Sequence, residues 1–153
     1  MKMKELQSDV VIIGAGIVGT ALAYELSHYE LSVTVVEKEA DVGWGATKAN
    51  SGIIHAAVHN PPSTLKGKLC FEGNRLYRQL ESELGIQLRS TGMLMVAEKE
   101  EQLGQLEKIR KIGLACGEKD LEILTKEELL AKEPALSPHV LAGLYAPTCH
   151  CFF

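Results

Sequence analysis

Three glycines near the start of the chain carry the strongest chemical signal in the sequence. Gly14, Gly16 and Gly19 form a G-x-G-x-x-G pattern directly after the apolar run Val10–Ile13. Between a strand and a helix, this pattern predicts a turn that approaches a diphosphate closely, with the free N–H groups and the helix dipole attracting it. Glu37 lies 18 residues after Gly19, where its carboxylate can accept hydrogen bonds from ribose hydroxyls. The same charge would repel a 2′-phosphate, so the pattern disfavours NADP.

The segment that follows Glu37 helps to distinguish between FAD and NAD as the cofactor. Residues 43–56 read GWGATKANSGIIHA and combine glycines with hydroxyl and amide side chains. Such a loop can bring backbone N–H groups and Thr or Ser oxygens to a second phosphate and a flavin ring. A plain NAD domain would more often continue into a regular helix and strand. The segment therefore favours FAD.

These residues must be positioned by a βαβ unit. The pattern predicts a strand at Asp9–Ile13, a helix at Thr20–Tyr29 and a second strand at Val33–Glu37. The continuous apolar character of the first strand is typical of a parallel strand buried on both faces. A loop with room for one short helix is predicted over Lys38–Asn60.

Beyond Pro61-Pro62 the pattern alternates between helices and short strands. Helices are predicted at Ser63–Leu84, Lys99–Ala115 and Thr125–Lys132, and strands at Gln87–Arg89, Met93–Ala97, Leu121–Leu124 and Leu141–Tyr145. Ser63 is the expected N-cap of the first helix, Gly85 its end, and Thr125 with Glu128 a capping box. Five leucines (65, 69, 76, 80 and 84) form one stripe on that helix.

The predicted fold class is α/β. A Rossmann-like, FAD-binding βαβ unit with an incomplete parallel sheet is followed by the start of an α+β substrate domain. We expect residues 1–82 to form the cofactor-binding portion, residues 83–148 the start of the substrate domain, and residues 149–153 an atypical tail.

Composition excludes several classes of function. The chain is 46% hydrophobic and 24% charged with a net charge of −4, and no block of like charge indicates nucleic-acid binding. The apolar run from Val10 to Ala23 is shorter than the roughly 20 residues of a membrane span. We therefore expect a cytoplasmic protein, or one attached to a membrane surface through a partner. The four cysteines form no C-x-x-C pair, and the Cys149-His150-Cys151 spacing is not typical of zinc, so no metal site is predicted.

Four segments resemble the glycine-oxidase/D-amino-acid-oxidase superfamily of FAD enzymes. They are residues 9–19 (DVVIIGAGIVG), 35–57, 61–77 and 141–148. Within that superfamily the chain resembles the bacterial glycerol-3-phosphate dehydrogenase type first and L-2-hydroxyglutarate oxidases next. The resemblance implies oxidation of an anionic 2-hydroxy compound, first of all sn-glycerol 3-phosphate to dihydroxyacetone phosphate, by hydride transfer to flavin N5. L-2-hydroxyglutarate is the alternative substrate and amine oxidation ranks third; Lys48-Ala49 favours the phosphate. A quinone, a redox protein or oxygen would accept the electrons.

The resemblance also implies roles for individual residues. The cofactor-binding residues would be Gly14, Gly16, Ile17, Val18, Gly19, Glu37, Lys38, Ala46, Thr47, Asn50, Ser51, Gly52 and Ile53. His55 would be the catalytic base, since imidazole titrates near neutrality, with a purely structural histidine as the alternative. Lys66 and Lys68 could meet an anionic substrate, although solvated helix positions are the favoured interpretation.

Two departures from the family pattern modify these expectations. Ala57 stands where the family usually has glycine. After Thr148 the family continues with glycines, whereas this chain reads CHCFF; a frameshift, a premature stop codon or an artificial end would each produce that ending. We expect the two parallel strands to expose an apolar edge and face, which self-association would cover. We also expect the chain alone to bind FAD weakly and to turn over poorly or not at all, and an inactive FAD-binding fragment is the corresponding alternative.

Overall fold

The computed structural model describes residues 5–152 and divides into two compact units. The first unit extends to Ser51, and the second begins at Gly52. Within residues 5–152, a parallel strand pair, two antiparallel sheets and four helices confirm the predicted α/β class. The boundaries expected after residues 82 and 148 stay predictions.

The first unit is a βαβ arrangement. It consists of β1 (Val10–Ile13), α1 (Ile17–Leu26) and β2 (Val33–Val36). The two strands are parallel, with Val10 opposite Val33 and Ile13 opposite Val36. Gly16 is the N-cap, so α1 begins three residues before the predicted start at Thr20. Turns, and no helix, follow β2 over residues 41–49.

The parallel strand pair buries only one of its two faces. Ile12 is 6% exposed and points toward α1, where its Cγ2 atom lies against Gly19. Val11 and Ile13 point to the opposite face and are 56% and 89% exposed. The prediction that β1 is buried on both faces is therefore wrong for the described chain. Helix α1 covers only the face that carries Ile12 and leaves Val11 and Ile13 exposed. The expected exposed apolar face is present.

The second unit contains two antiparallel sheets and three helices. Its elements are β3 (Ile53–Ile54), α2 (Leu65–Leu84), β4 (Leu88–Ser90), β5 (Met93–Ala97), α3 (Glu100–Cys116), β6 (Glu122–Thr125), α4 (Lys126–Lys132), β7 (Ala142–Ala146) and β8 (His150–Phe152). The strands are ordered β3–β8–β4 in one sheet and β5–β7–β6 in the other. The strands on either side of the predicted Thr91-Gly92 turn therefore belong to different sheets.

Two apolar clusters form the core of the second unit. The larger cluster joins Val58, Leu106, Leu121 and Leu144 with buried alanines and Cys149. The smaller cluster contains Leu124, Leu129 and Val140. Both clusters lie against the β5–β7–β6 sheet, and burial of this apolar area is the main stabilising contribution to the unit.

Helix ends follow the predicted signals with one correction. Thr64, not Ser63, is the N-cap of α2, and its hydroxyl accepts a hydrogen bond from the Gly67 N–H at 3.0 Å. Gly85 ends that helix in the left-handed region, as predicted. The capping box of Thr125 and Glu128 at the start of α4 is confirmed, with its two hydrogen bonds at 2.8 and 3.3 Å.

The leucine stripe of α2 does not face the core. Leu65, Leu69, Leu76 and Leu84 are exposed, whereas Gly67 and Asn74 are the buried residues of this helix. A Cβ atom at Gly67 would overlap the carbonyl of Pro61, so the helix packs closely on that side. The buried residues of α2 are therefore Gly67 and Asn74 and not the leucines of the stripe.

The last described residues form a central strand. β8 lies between β3 and β4, with His150 opposite both Ile54 and Ser90. Sequence analysis did not predict β3 or β8. No helix among residues 5–152 combines the length and apolar character that crossing a membrane requires.

Candidate functional site

The turn between β1 and α1 depends on glycine at two positions. Gly14 has a φ of +100°, in the region that side chains other than glycine rarely adopt, and its N–H donates to the Val36 carbonyl at 2.7 Å. A Cβ atom at Gly19 would overlap the Gly14 carbonyl oxygen. A Cβ atom at Gly16 would lie 3.1 Å from the Thr47 hydroxyl oxygen. The turn is therefore closely packed at Gly19 and Gly16, where any side chain would meet neighbouring atoms of the first unit.

Glu37 fixes this turn to the end of β2. Its Oε2 atom accepts a hydrogen bond from the Ala15 N–H at 2.7 Å, and Oε1 accepts from the Lys38 and Glu39 N–H groups at 2.8 and 3.0 Å. Hydrogen bonds from the backbone N–H groups of Glu39 and Ala15 lower the pKa of this carboxyl group. The residue therefore keeps its negative charge in the neutral range.

The segment after Glu37 folds back onto the start of α1. The Thr47 hydroxyl accepts a hydrogen bond from the Ile17 N–H at 2.9 Å, and the Gly43 N–H donates to the Ala15 carbonyl at 2.9 Å. The Asn50 side-chain amide donates to the Thr47 carbonyl. The Ile17 N–H, one of the N–H groups at the start of α1, is therefore paired with the Thr47 hydroxyl oxygen. A phosphate oxygen is an acceptor of the same kind.

A cavity of about 960 Å³ opens between these elements. Nine of the predicted cofactor residues line it: Gly14, Gly16, Ile17, Val18, Gly19, Glu37, Lys38, Ala46 and Thr47. Asn50 and Ser51 lie in the same unit but outside the lining. Its volume is at the upper end of the usual range for ligand sites in proteins.

Trp44 also lines this cavity and was missed in the sequence analysis. It is 51% exposed, and the Lys48 ammonium nitrogen lies 4.9 Å from the centre of its ring. Lys48, which favoured a phosphate substrate in the sequence, thus makes a cation–π contact here. The sequence does mark Trp44 as a candidate site residue, because it is the only tryptophan in the chain and lies between two glycines.

The other predicted site residues belong to the second unit. Gly52 has a φ of +66°, and Ile53 pairs with Cys151 in β3. The His55 side chain is exposed, and its ring centre lies 6.1 Å from that of His59 in an edge-to-face arrangement. Burial, His55 and Lys66 together lower the pKa of His59. The positive charge of Lys66 therefore lies near the exposed pair of His55 and His59.

Comparison with known proteins places these features in a family. A model of the family described as FAD dependent oxidoreductase matches residues 9–152. This chain belongs to that family. The predicted family and its cofactor, FAD, are confirmed. The match to residue 152 also corrects the expectation that the resemblance stops at Thr148.

The chain resembles enzymes that differ in substrate. It is 44% identical over 140 residues to a glycerol 3-phosphate dehydrogenase from Caloramator mitchellensis, covering 92% of this chain and 29% of that protein. It is 38% identical over 128 residues to the mitochondrial L-2-hydroxyglutarate dehydrogenase of Homo sapiens, covering 82% and 28%. The chain thus spans about three tenths of the length of these curated relatives.

A solved structure shares the fold. The dithionite-reduced L-α-glycerophosphate oxidase of Mycoplasma pneumoniae, which has FAD bound, aligns with a TM-score of 0.88 and 35% identity. The alignment covers 95% of this chain and 38% of that one. Both units of the described chain thus have counterparts in a flavoenzyme.

Proposed function

We propose that this chain is the FAD-binding part of a dehydrogenase that oxidises an anionic 2-hydroxy compound. The observation that carries the proposal is the cavity beside the glycine turn, which nine of the predicted cofactor residues line. The turn has no space for a side chain at Gly19, as expected where the helix of a dinucleotide-binding unit packs closely on its first strand. The residues present therefore fit a dinucleotide.

The diphosphate and the ribose of the cofactor have matching groups in the first unit. The diphosphate would lie against Gly14, Gly16 and the first turn of α1, whose N–H groups and dipole favour anions. The Glu37 carboxylate accepts three backbone hydrogen bonds, two on Oε1 and one on Oε2, which leaves a lone pair on Oε2 for a ribose hydroxyl. Lys38, Ala46 and Thr47 would complete the wall, and Asn50, Ser51, Gly52 and Ile53 are proposed on the flavin side. When bound, FAD would supply the acceptor for the hydride, which carries both electrons of the oxidation.

The proposed substrate is sn-glycerol 3-phosphate. The similarity to a glycerol 3-phosphate dehydrogenase and to an L-α-glycerophosphate oxidase supports this choice. L-2-hydroxyglutarate is the second candidate, which the similarity to the human enzyme favours. Both compounds present a hydroxyl group near an anion, so the reaction at the carbon atom is the same.

His55 is the proposed base. Oxidation of a C–OH carbon to a ketone releases a proton from the hydroxyl oxygen, and His55 would accept it. Its imidazole is exposed, as a group that meets substrate must be. Lys66 stands at the start of α2 near His59, where its positive charge could draw an anionic substrate. An enzyme of this type would transfer its electrons to a quinone, a redox protein or oxygen, and a cytoplasmic location is part of the proposal.

Fluorescence of the single tryptophan tests cofactor binding by the chain itself. Trp44 lines the cavity, so FAD should quench its emission in a saturable titration, whereas NADP should do so far more weakly. Exposed Tyr29 and other tyrosines are not excited at 295 nm, roughly the usual selective wavelength for indole. Equal quenching by FAD and by free riboflavin, which lacks the diphosphate, would contradict the assigned site.

Anaerobic reduction then identifies the substrate. Addition of sn-glycerol 3-phosphate to the FAD-loaded chain should bleach the flavin absorbance at a lower concentration than L-2-hydroxyglutarate does. The opposite order would replace the proposed substrate by the second candidate. Saturable quenching without bleaching by either compound would indicate the inactive FAD-binding fragment.

A further inference from the structure

The segment that carries His55 has a buried backbone, although it belongs to no helix or strand. Ala56, Ala57 and Val58 are at most 2% exposed, whereas the His55 and His59 side chains on either side of them are exposed. Irregular segments usually lie at the surface and are mobile. This segment must therefore be held by groups from elsewhere in the second unit.

Asn74 is the first of these groups. It is 3% exposed on α2, and its side-chain nitrogen donates to the His55 carbonyl at 3.2 Å and to the Thr148 carbonyl at 2.7 Å. An amide nitrogen has two hydrogens, so these two bonds use its full donor capacity. The amide thus joins the His55 segment to Thr148, two residues before the start of β8.

Glu118 is the second group. It is 4% exposed and follows Gly117, whose φ of +101° ends α3 and turns the chain inward. Its Oε1 atom accepts a hydrogen bond from the Ala57 N–H at 2.6 Å, and Oε2 accepts from the Thr148 hydroxyl at 2.6 Å. Sequence analysis noted Ala57 as a departure from glycine; in the fold its methyl group is buried and its N–H is paired.

Both groups are costly to bury. A buried amide or carboxylate destabilises a fold unless it is hydrogen-bonded, and an apolar residue of the same size would pack there at lower cost. Within residues 5–152, the hydrogen bonds of the two side chains end on residues 55–57 or on Thr148. Their hydrogen bonds therefore fix the backbone beside His55 without occupying its imidazole nitrogens.

We propose that Asn74 and Glu118 are positioning residues, which fix the His55 imidazole by holding the backbone of residues 55–57 from two sides. This inference rests on the proposed role of His55 as the base. A base must be held within hydrogen-bond reach of the proton that it removes, and a displacement of about 1 Å can cost about a hundredfold in rate. Neither residue touches substrate in this scheme; both act through the backbone.

Two removal variants, one conservative variant and one control variant test the proposal. Glu118→Leu and Asn74→Leu remove the hydrogen bonds and keep the approximate volume. Glu118→Gln retains an acceptor for the Ala57 N–H, and its amide can donate to the Thr148 hydroxyl. Leu129→Ala weakens the core of the same unit in the separate smaller cluster, away from residues 55–57.

Imidazole NMR of the histidine-labelled chain is the primary readout, because it needs no turnover. The chain has five histidines, and the His55 signals are those that His55→Gln removes. In the original chain we expect a nuclear Overhauser effect between the His55 and His59 rings. Both removal variants should abolish it and shift the His55 signals toward those of free histidine. Glu118→Gln and Leu129→Ala should retain it.

The same variants give a kinetic readout with FAD and substrate. Removal variants should slow flavin reduction about 10- to 100-fold with less than about a twofold change in KM, and Glu118→Gln should restore the rate. Unchanged His55 signals in folded Glu118→Leu or Asn74→Leu, or an equal change in Leu129→Ala, would overturn the proposal. If Glu118→Leu does not fold, Asn74→Ala is measured in its place and must show the same loss.

The outcome separates positioning from the proposed function. Suppose that the removal variants lose the contact between the His55 and His59 rings, but His55→Gln reduces flavin at the original rate. Asn74 and Glu118 then position His55, but His55 is not the base. If those variants keep the ring contact and His55→Gln reduces flavin slowly, His55 is the base, but Asn74 and Glu118 do not position it.

Discussion

A single methyl group at Gly19 provides the sharpest test of the glycine turn. In Gly19→Ala the new Cβ atom would overlap the Gly14 carbonyl oxygen and lie 3.3 Å from the Ile12 Cγ2 atom. The obstructing oxygen belongs to the backbone, so no side-chain rotation can relieve the overlap. Gly45→Ala adds the same methyl group beside the same cavity and meets nothing within 4 Å. It is therefore the matched control.

The expected effect follows from two opposing contributions. Because the overlap is with a backbone oxygen that cannot rotate away, we take the upper end of the usual overpacking cost, about 3 kcal/mol. Because Gly19 lies within α1, alanine returns about 1 kcal/mol of helix propensity. About 2 kcal/mol remains, and the free chain can relax the turn whereas the bound state requires it. We therefore expect FAD to bind about 30-fold more weakly, since each 1.4 kcal/mol corresponds to a factor of about ten.

Trp44 fluorescence measures this directly in a titration of each variant with FAD. Gly45→Ala should bind within about twofold of the original chain, which corresponds to less than about half a kcal/mol. Gly19→Ala binding as tightly as the original chain would refute the assignment of the diphosphate to this turn. An equal loss in Gly45→Ala would do so as well, because the effect would then not depend on the overlap.

Three further predictions concern charge, acid and the exposed sheet face. Glu37→Gln should weaken FAD binding several-fold in the same titration, because an amide cannot accept all three backbone hydrogen bonds at once, whereas exposed Glu39→Gln should not. Burial, and secondarily Arg78, lowers the pKa of His150. Below about pH 6.5 the imidazole therefore takes up a proton more readily in the unfolded chain than in the folded chain. The free energy of unfolding should fall between pH 7 and 5 for this reason. His150→Gln should reduce that fall in denaturant titrations, and an undiminished fall would contradict it. Ile13→Lys should lower the mass measured by light scattering, because Ile13 is 89% exposed on the apolar face; a monomeric original chain would contradict self-association.

Short-range signals in the sequence determined the first unit. Gly14 and Gly19 are required by local geometry, since a positive φ and a backbone overlap involve atoms only a few residues apart. The capping box of Thr125 and Glu128 is equally local and was predicted correctly. The family motif extended this to FAD, because its glycines, glutamate and polar loop lie within one stretch of chain.

Only the tertiary structure decided which distant residues meet. The final strand pairs His150 with Ile54 and Ser90, and Asn74 and Glu118 reach the His55 segment across 19 and 61 residues. No local pattern marks such partners, because a buried polar residue is identified by what surrounds it and not by its neighbours in sequence. The leucine stripe of α2 shows the same limit, since its period predicts a helix but not which face will be covered.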